Sequence, residues 1–262
     1  MDYDYWKKQS PESPLFPNIE WNKPEQRKLA GKLGIVGGNK LGFAGLAEAY
    51  TVATKTGAGE VRVLMPDVLK KTIPATLTEA IFAPSNVSGG LSKEAEANLR
   101  TIGNWADGIL LIGDAGRNSE TAIVYEKFIQ EYKGMLTVTR DAIDLVKNSA
   151  TLLADRPQTV MVMSFAQLQK LFQSVYYPKV LTFSMQLTNL VEALHKFTIT
   201  YPITITVLHH DTVVLAHNGD VVTTPWDNAM LIWRGTVAAK AATYWLWEQN
   251  KPLESIATSL VS

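Results

Sequence analysis

The chain contains no cysteine. That excludes disulfides, thiolate metal sites, iron–sulfur clusters and a cysteine nucleophile. It also has no surplus of charge. Twenty-five Lys and Arg stand against 25 Asp and Glu, a formal net charge of zero. Proteins that hold nucleic acid by neutralising phosphates need a basic excess, so no nucleic-acid partner is expected. Long uncharged apolar runs are missing as well. The most apolar stretch, Ala229 to Trp247, carries Arg234 and Lys240, whereas a bilayer span needs about 20 largely uncharged residues. The first residues, Met1 to Lys8, are polar and partly acidic, unlike a signal peptide with a basic start and an apolar run. The expectation is a soluble, cytoplasmic chain without a membrane partner.

What is present suffices for a large core. Of 262 residues, 46% are hydrophobic, too many for a disordered chain. Residues 1–30 differ in texture from the rest. Pro11, Pro14, Pro17 and Pro24 interrupt regular structure there, and Trp6, Phe16 and Trp21 are expected to anchor an arm on a folded body. Residues 31–262 read as one α/β domain. Strands are expected at 32–36, 60–65, 108–112, 135–138, 159–163 and 203–208. Helices are expected between them at 43–55, 92–105 (capped by Ser92), 119–132, 141–147, 165–172 and 185–197. Asn218-Gly219 lies between two alternating segments, a strong hairpin signal. One long helix is expected from Asn228 to Trp247, and a last one from Leu253. Segments such as Gly108–Ile112 are apolar on both faces. Helices must then cover both sides of the sheet, as in a three-layer α/β/α domain with a mostly parallel central sheet. The late hairpin adds an antiparallel edge.

Five places could carry chemistry. Gly37-Gly38-Asn39 follows a strand and precedes a helix, where glycines let backbone N–H groups approach an anionic ligand. It matches neither a P-loop nor a Rossmann fingerprint, and tight turns explain it more readily. Gly113-Asp114-Ala115-Gly116-Arg117 occupies the carboxyl end of a buried strand, where open α/β sheets bind ligands. Asp114 and Asn118 there also suit helix capping. Asp141, after the strand 135–138, either lines the same crevice or caps the next helix. His209-His210-Asp211 closes the strand 203–208. Adjacent histidines on an extended chain face opposite ways and make a poor metal pair, so no metal site is expected. Asp227, in Thr223-Thr224-Pro225-Trp226-Asp227-Asn228, either caps the long helix or acts from it as a general acid or base.

Together these pieces resemble the ribokinase-like superfamily, and more closely its ADP/ATP-dependent NAD(P)H-hydrate dehydratases. Gly31-Lys32-Leu33-Gly34-Ile35-Val36-Gly37-Gly38-Asn39, running on to Gly57-Ala58-Gly59-Glu60-Val61-Arg62-Val63, resembles the opening of that family. Ile112-Gly113-Asp114-Ala115-Gly116-Arg117 resembles its Ile-Gly-Pro-Gly-Leu-Gly turn, one residue shorter. Val138-Thr139-Arg140-Asp141-Ala142-Ile143 resembles its Leu-Asp-Ala-Asp-Ala-Leu. His209-His210 stands where the family has Lys-Gly, and Asp227 near its Gly-x-Gly-Asp aspartate. The likeness spans about residues 25–250.

The resemblance implies a ribokinase-like fold and a metabolite-repair chemistry. ADP or ATP, with Mg²⁺, would phosphorylate hydrated NADH or NADPH, and elimination would restore the reduced nicotinamide. Asp227 would be the base. Gly38, Gly45, Gly113, Gly116, Asp141 and Ser164 would bind the substrate. His209, His210, Asp211, Thr212 and Trp226 would line the nucleotide. A homo-oligomer is implied as well. Three departures stand out. Thr224, Pro225 and Trp226 replace the glycines before the family's aspartate. Met163-Ser164-Phe165-Ala166-Gln167 replaces its Thr-Pro-His-Pro-Gly-Glu loop, and the nucleotide Lys-Gly is gone. Each lost anion-hole donor costs on the order of 10²–10³ in rate. Two readings therefore stand side by side. One is a divergent dehydratase of weak activity; the other is a catalytically silent relative that binds a ligand or serves as a scaffold. A kinase of a small alcohol on the same fold needs the same anion hole.

Overall fold

The computed structural model describes residues 3–262. Ten strands form one sheet. They are β1 (Trp6–Lys8), β2 (Lys32–Gly37), β3 (Glu60–Pro66), β4 (Ala80–Ala83), β5 (Gly108–Gly113), β6 (Met135–Thr139), β7 (Thr159–Ser164), β8 (Thr204–His209), β9 (Thr212–His217) and β10 (Asp220–Pro225). Their spatial order is β1-β10-β9-β8-β7-β6-β5-β2-β3-β4. From β8 to β4 every pair is parallel. Only β9 runs against its neighbours, β8 and β10. The fold is thus the expected α/β class with its antiparallel hairpin.

Ten α-helices cover the sheet: α1 (Ala44–Thr56), α2 (Glu96–Trp105), α3 (Ser119–Glu131), α4 (Asp141–Leu145), α5 (Ala150–Asp155), α6 (Phe165–Ser174), α7 (Leu187–Thr200), α8 (Ala229–Arg234), α9 (Thr236–Trp247) and α10 (Pro252–Val261). Because side chains alternate across a strand, each central strand feeds two cores. Ile109 and Leu111 of β5 pack with Leu99, Val124 and Leu168 of α2, α3 and α6. Leu110 and Ile112 pack with Leu46, Ala238 and Ile256 of α1, α9 and α10. This makes the three layers.

The structure departs from the expected elements in several places. β1 was unforeseen, because three residues with two lysines carry no periodicity. It pairs with β10, and its Trp6 indole donates to Thr223 Oγ1 at 2.9 Å. Gln9, buried, donates to Ala257 O at 2.8 Å and Thr224 Oγ1 at 3.0 Å. Phe16 packs on the core, but Trp21, expected as an anchor, is 86% exposed. The short 3₁₀ turn 17–22 turns Ile19 inward instead. Ser92 does not cap a helix: its hydroxyl donates to Glu94 Oε2 at 2.6 Å. The expected long helix 228–247 is two helices. Gly235, at φ 89°, ends α8 and starts α9. That left-handed backbone suits glycine and breaks the helix despite the continuous apolar pattern. Among the described residues no helix is long and apolar enough to cross a membrane.

Candidate ligand-binding crevice

β2 and β5 are neighbours, yet the helices that follow them, α1 and α3, pack on opposite faces of the sheet. Their carboxyl ends form a topological switch point, where open α/β sheets bind ligands. The two turns are joined there, since the Gly38 N–H donates to Gly113 O at 2.8 Å. Gly113 has φ 92°, and a Cβ on it would collide with Oδ1 of Asp141. Asp141 comes so close because it holds the turn. Its Oδ1 accepts the Asp114 N–H at 2.7 Å and its Oδ2 the Ala115 N–H at 3.2 Å. Asp141 is the first residue of α4 and not its N-cap, and it lines the cavity described below.

Asp114 sends its carboxylate to the other side. Its Oδ2 accepts the Gly45 N–H at 2.7 Å, in the first turn of α1, which no neighbouring side chain caps. A negative group is favourable at that helix end. Its Oδ1 pairs with the Arg140 guanidinium. Arg140 also donates to the Arg234 carbonyl at 3.1 Å, tying the end of β6 to the junction of α8 and α9. Gly38, Gly45, Gly113 and Asp141 therefore belong to one network. Gly116 lies beside it, facing Asn39.

A cavity of about 620 Å³ opens over the ends of β5 to β8, within the range of about 300–1,000 Å³ usual for small-molecule sites. Val162, Met163 and Leu208 line it from the strands, and Ala166 from α6. Ile232 and Trp233 line it from α8, and Phe183 from the loop after α6. Its polar lining is mostly committed elsewhere. Thr139 Oγ1 donates to Val162 O at 2.8 Å. Ser164 and Gln167 form a capping box at the start of α6. Gln167 Nε2 donates to Arg140 O at 2.8 Å and to Asp144 Oδ2 at 2.7 Å. Burial alone would raise the Asp144 pKa, but hydrogen bonds from Lys170 and Gln167 outweigh it and hold the carboxyl below its ordinary value.

The residues expected at the nucleotide are arranged differently. His209 is buried; its Nε2 lies 2.9 Å from Met185 O, its ring packs 5.0 Å from Phe165, and burial lowers its pKa. His210 lines the cavity. His210 and Asp211 turn the chain from β8 into β9, which Thr212 opens, and Asp211 O accepts the Trp226 N–H at 2.7 Å. The Trp226 indole donates to Asn228 O at 2.8 Å. Asp227 is exposed and does not line the cavity. Because the helix breaks at Gly235, Asp227 precedes the short α8 and not α9. It does not cap α8, whose N-cap Asn228 makes no side-chain bond either. At the start of α9, Thr236 Oγ1 donates to Glu48 Oε1 at 2.8 Å, and a Cβ on Gly235 would meet Ile112. That glycine packs the start of α9 closely on the sheet. No Lys or Arg occurs between Lys196 and Arg234, so the stretch expected to hold a polyphosphate supplies no permanent cation. Among the described residues no group of three or more His, Asp or Glu is placed to hold a metal ion.

Sequence reasoning missed Asp114 as a tie to α1, Arg140, Gln167, Phe183 and Trp233. Arg140 stood within the motif quoted for Asp141, but its φ of 56° has no sequence signal. Phe183 lies in a loop, and Trp233 read as one more core position of an unbroken helix.

No family model matches the chain, and no curated protein matches it. Solved structures do. A ribokinase-like superfamily protein from Enterococcus faecalis V583 superposes with a TM-score of 0.77 at 16% identity, covering 100% of this chain and 87% of that one. A protein from Streptococcus mutans gives a TM-score of 0.71 at 17% identity, over 93% of this chain and 85% of that one. The ADP/ATP-dependent NAD(P)H-hydrate dehydratase of Bacillus subtilis, co-crystallised with ATP and Mg²⁺ and soaked with CoA, gives 0.61 at 11% identity, over 95% and 86%. The chain therefore has the ribokinase-like fold.

Proposed function

We propose that this chain, on a ribokinase-like fold, binds a small molecule in the crevice over β5 to β8 and does not transfer phosphoryl groups. One observation carries the reading. A crevice lies over the ends of β5 to β8, beside the switch point, while the start of α9 carries Thr236 bonded to Glu48 and a glycine packed on Ile112. Phosphoryl transfer depends on positioned charge and N–H donors around the moving group. Here Asp114 and Asp141 are committed to backbone N–H groups and Arg140, and Asp227 lies outside the cavity.

The test is ligand protection against thermal unfolding by a panel of nucleosides, nucleotides and hydrated NADH. A compound at about 100 times its Kd adds roughly 2.7 kcal/mol of stability. Ala166→Trp would fill the crevice from an exposed position of α6. Protection that Ala166→Trp removes supports the reading. Protection that survives Ala166→Trp contradicts it.

The second reading is the divergent NAD(P)H-hydrate dehydratase. It is favoured by the superposition of 95% of the chain on that enzyme and by the Gly38–Gly113–Asp141 seam. It needs Asp227 as base and a nucleotide near His209 to Thr212, and turnover of hydrated NADH separates it from the first.

A further inference from the structure

We infer that a second site, at the open edge of the sheet beside β3, binds a free α-amino acid by its ammonium and carboxylate groups. It lies at the amino end of β3, whereas the crevice described above lies over the carboxyl ends of β5 to β8.

The first argument is a gap in the sheet. β4 covers the outer edge of β3 only from Val63 onward, where Val63 faces Ala80. Backbone groups alternate sides along a strand. The Glu60 N–H donates inward, to Gly31 O just before β2 at 3.1 Å, and the Val63 N–H donates outward, to Glu79 O at 2.9 Å. Val61 shares the parity of Val63, so its N–H and C=O point outward. Among the described residues neither has a partner on that side. A cavity of about 480 Å³ opens there, lined by Val61 and bordered by Tyr50 of α1, whose hydroxyl lies 3.2 Å from that of Thr78. Unpaired strand edges are templates for a further main chain. This one is a single residue long. Arg27 Nε donates to Gly59 O at 2.9 Å on one side of it, and Glu79 O holds Val63 on the other. That length is too short for an added strand but admits one amino acid. Such a ligand exchanges both bonds with one residue, as an antiparallel hydrogen-bonded pair does. Its carboxylate accepts the Val61 N–H, and its ammonium donates to Val61 O.

The second argument is charge. Arg27, Lys28, Glu60, Arg62 and Glu79 all line the cavity. Among the described residues no ion pair joins any of the five. Unpaired charges of both signs around one cavity complement a ligand that carries both signs. Their order fits too. Arg27 and Lys28 stand on the amino side of Val61, where the carboxylate docks, and Arg27 commits only its Nε to the backbone. Glu79 stands on the carboxyl side, where the ammonium docks.

The test is calorimetric titration of the intact chain with the standard L-amino acids one by one, and with the N-acetyl and amide forms of any that binds. At least one should bind with a Kd at or below about 1 mM. Capping either end of it should weaken binding by on the order of tenfold or more. Arg27→Gln and Glu79→Gln change exposed side chains, and each should weaken binding about three- to tenfold with the melting midpoint unmoved. Ala166→Trp, which fills the crevice, should leave amino-acid binding unchanged. The site is refuted if no amino acid binds at about ten times that concentration, or if the capped forms bind equally well. It is refuted too if binding survives Arg27→Gln and Glu79→Gln but is lost in Ala166→Trp, which would put the ligand in the crevice. None of these results decides the crevice reading, which rests on its own ligand panel.

Discussion

Asp141→Ala offers a quantitative test of the network at the switch point. One carboxylate there accepts the N–H groups of Asp114 and Ala115 at 2.7 and 3.2 Å. The half-buried turn has no other partner for them. A hydrogen bond to a charged group contributes about 1.5–3 kcal/mol, and an orphaned donor costs a similar amount. The longer bond counts for less, so alanine should cost about 3–5 kcal/mol. At roughly 2–4 °C per kcal/mol for a chain of this size class, the midpoint should fall by about 6–20 °C. Asp141→Asn keeps one acceptor oxygen but sets an amide NH₂ against the other N–H, and should cost about half as much. Thermal unfolding followed by circular dichroism, with urea titration for the free energy, measures both. An alanine variant melting within about 2 °C of the parent would refute the structural role and return Asp141 to the list of free ligand-binding groups.

Gly113→Ala should lower stability by at least 2 kcal/mol, roughly, because left-handed backbone disfavours a side chain and the new Cβ strikes Asp141 Oδ1; urea unfolding reads it. Gln9→Ala should cost about 1–3 kcal/mol, since its amide joins Thr224 and Ala257 from the strand-bearing arm, and the same titration reports it. Burial lowers the pKa of His209 and of His217. The folded chain keeps both neutral where the unfolded chain takes protons near 6.5. Their contribution is therefore complete above about pH 6.5 and is lost as pH falls below it. Melting curves from pH 8 down to about 5 should show the decline, and the double variant His209→Gln, His217→Gln should flatten it.

Much of the fold was legible in the residues. Gly108–Ile112 is apolar on both faces, which only a doubly covered parallel strand explains, and Asn218-Gly219 marked the hairpin. What escaped was short or strained. β1 and β4 have three and four residues, too few for a period to register. The break at Gly235 was hidden because apolar residues continue through α8 into α9, so that only the left-handed φ divides them. That break also displaced Asp227 from the place the resemblance implied. The switch-point glycines and Asp141 were legible from their positions after strands. Arg140, Phe183 and Trp233 were not, because their roles arise from a positive φ, a loop path and a helix end that depend on tertiary packing.

Turnover is the most direct test of the central claim. The protein would be mixed with hydrated NADH, Mg²⁺ and either ADP or ATP, and the return of reduced-nicotinamide absorbance followed over time. A silent, ligand-binding crevice predicts a rate no higher than buffer with either nucleotide. Recovery with one nucleotide that disappears in Asp227→Asn would contradict the claim and establish the dehydratase reading.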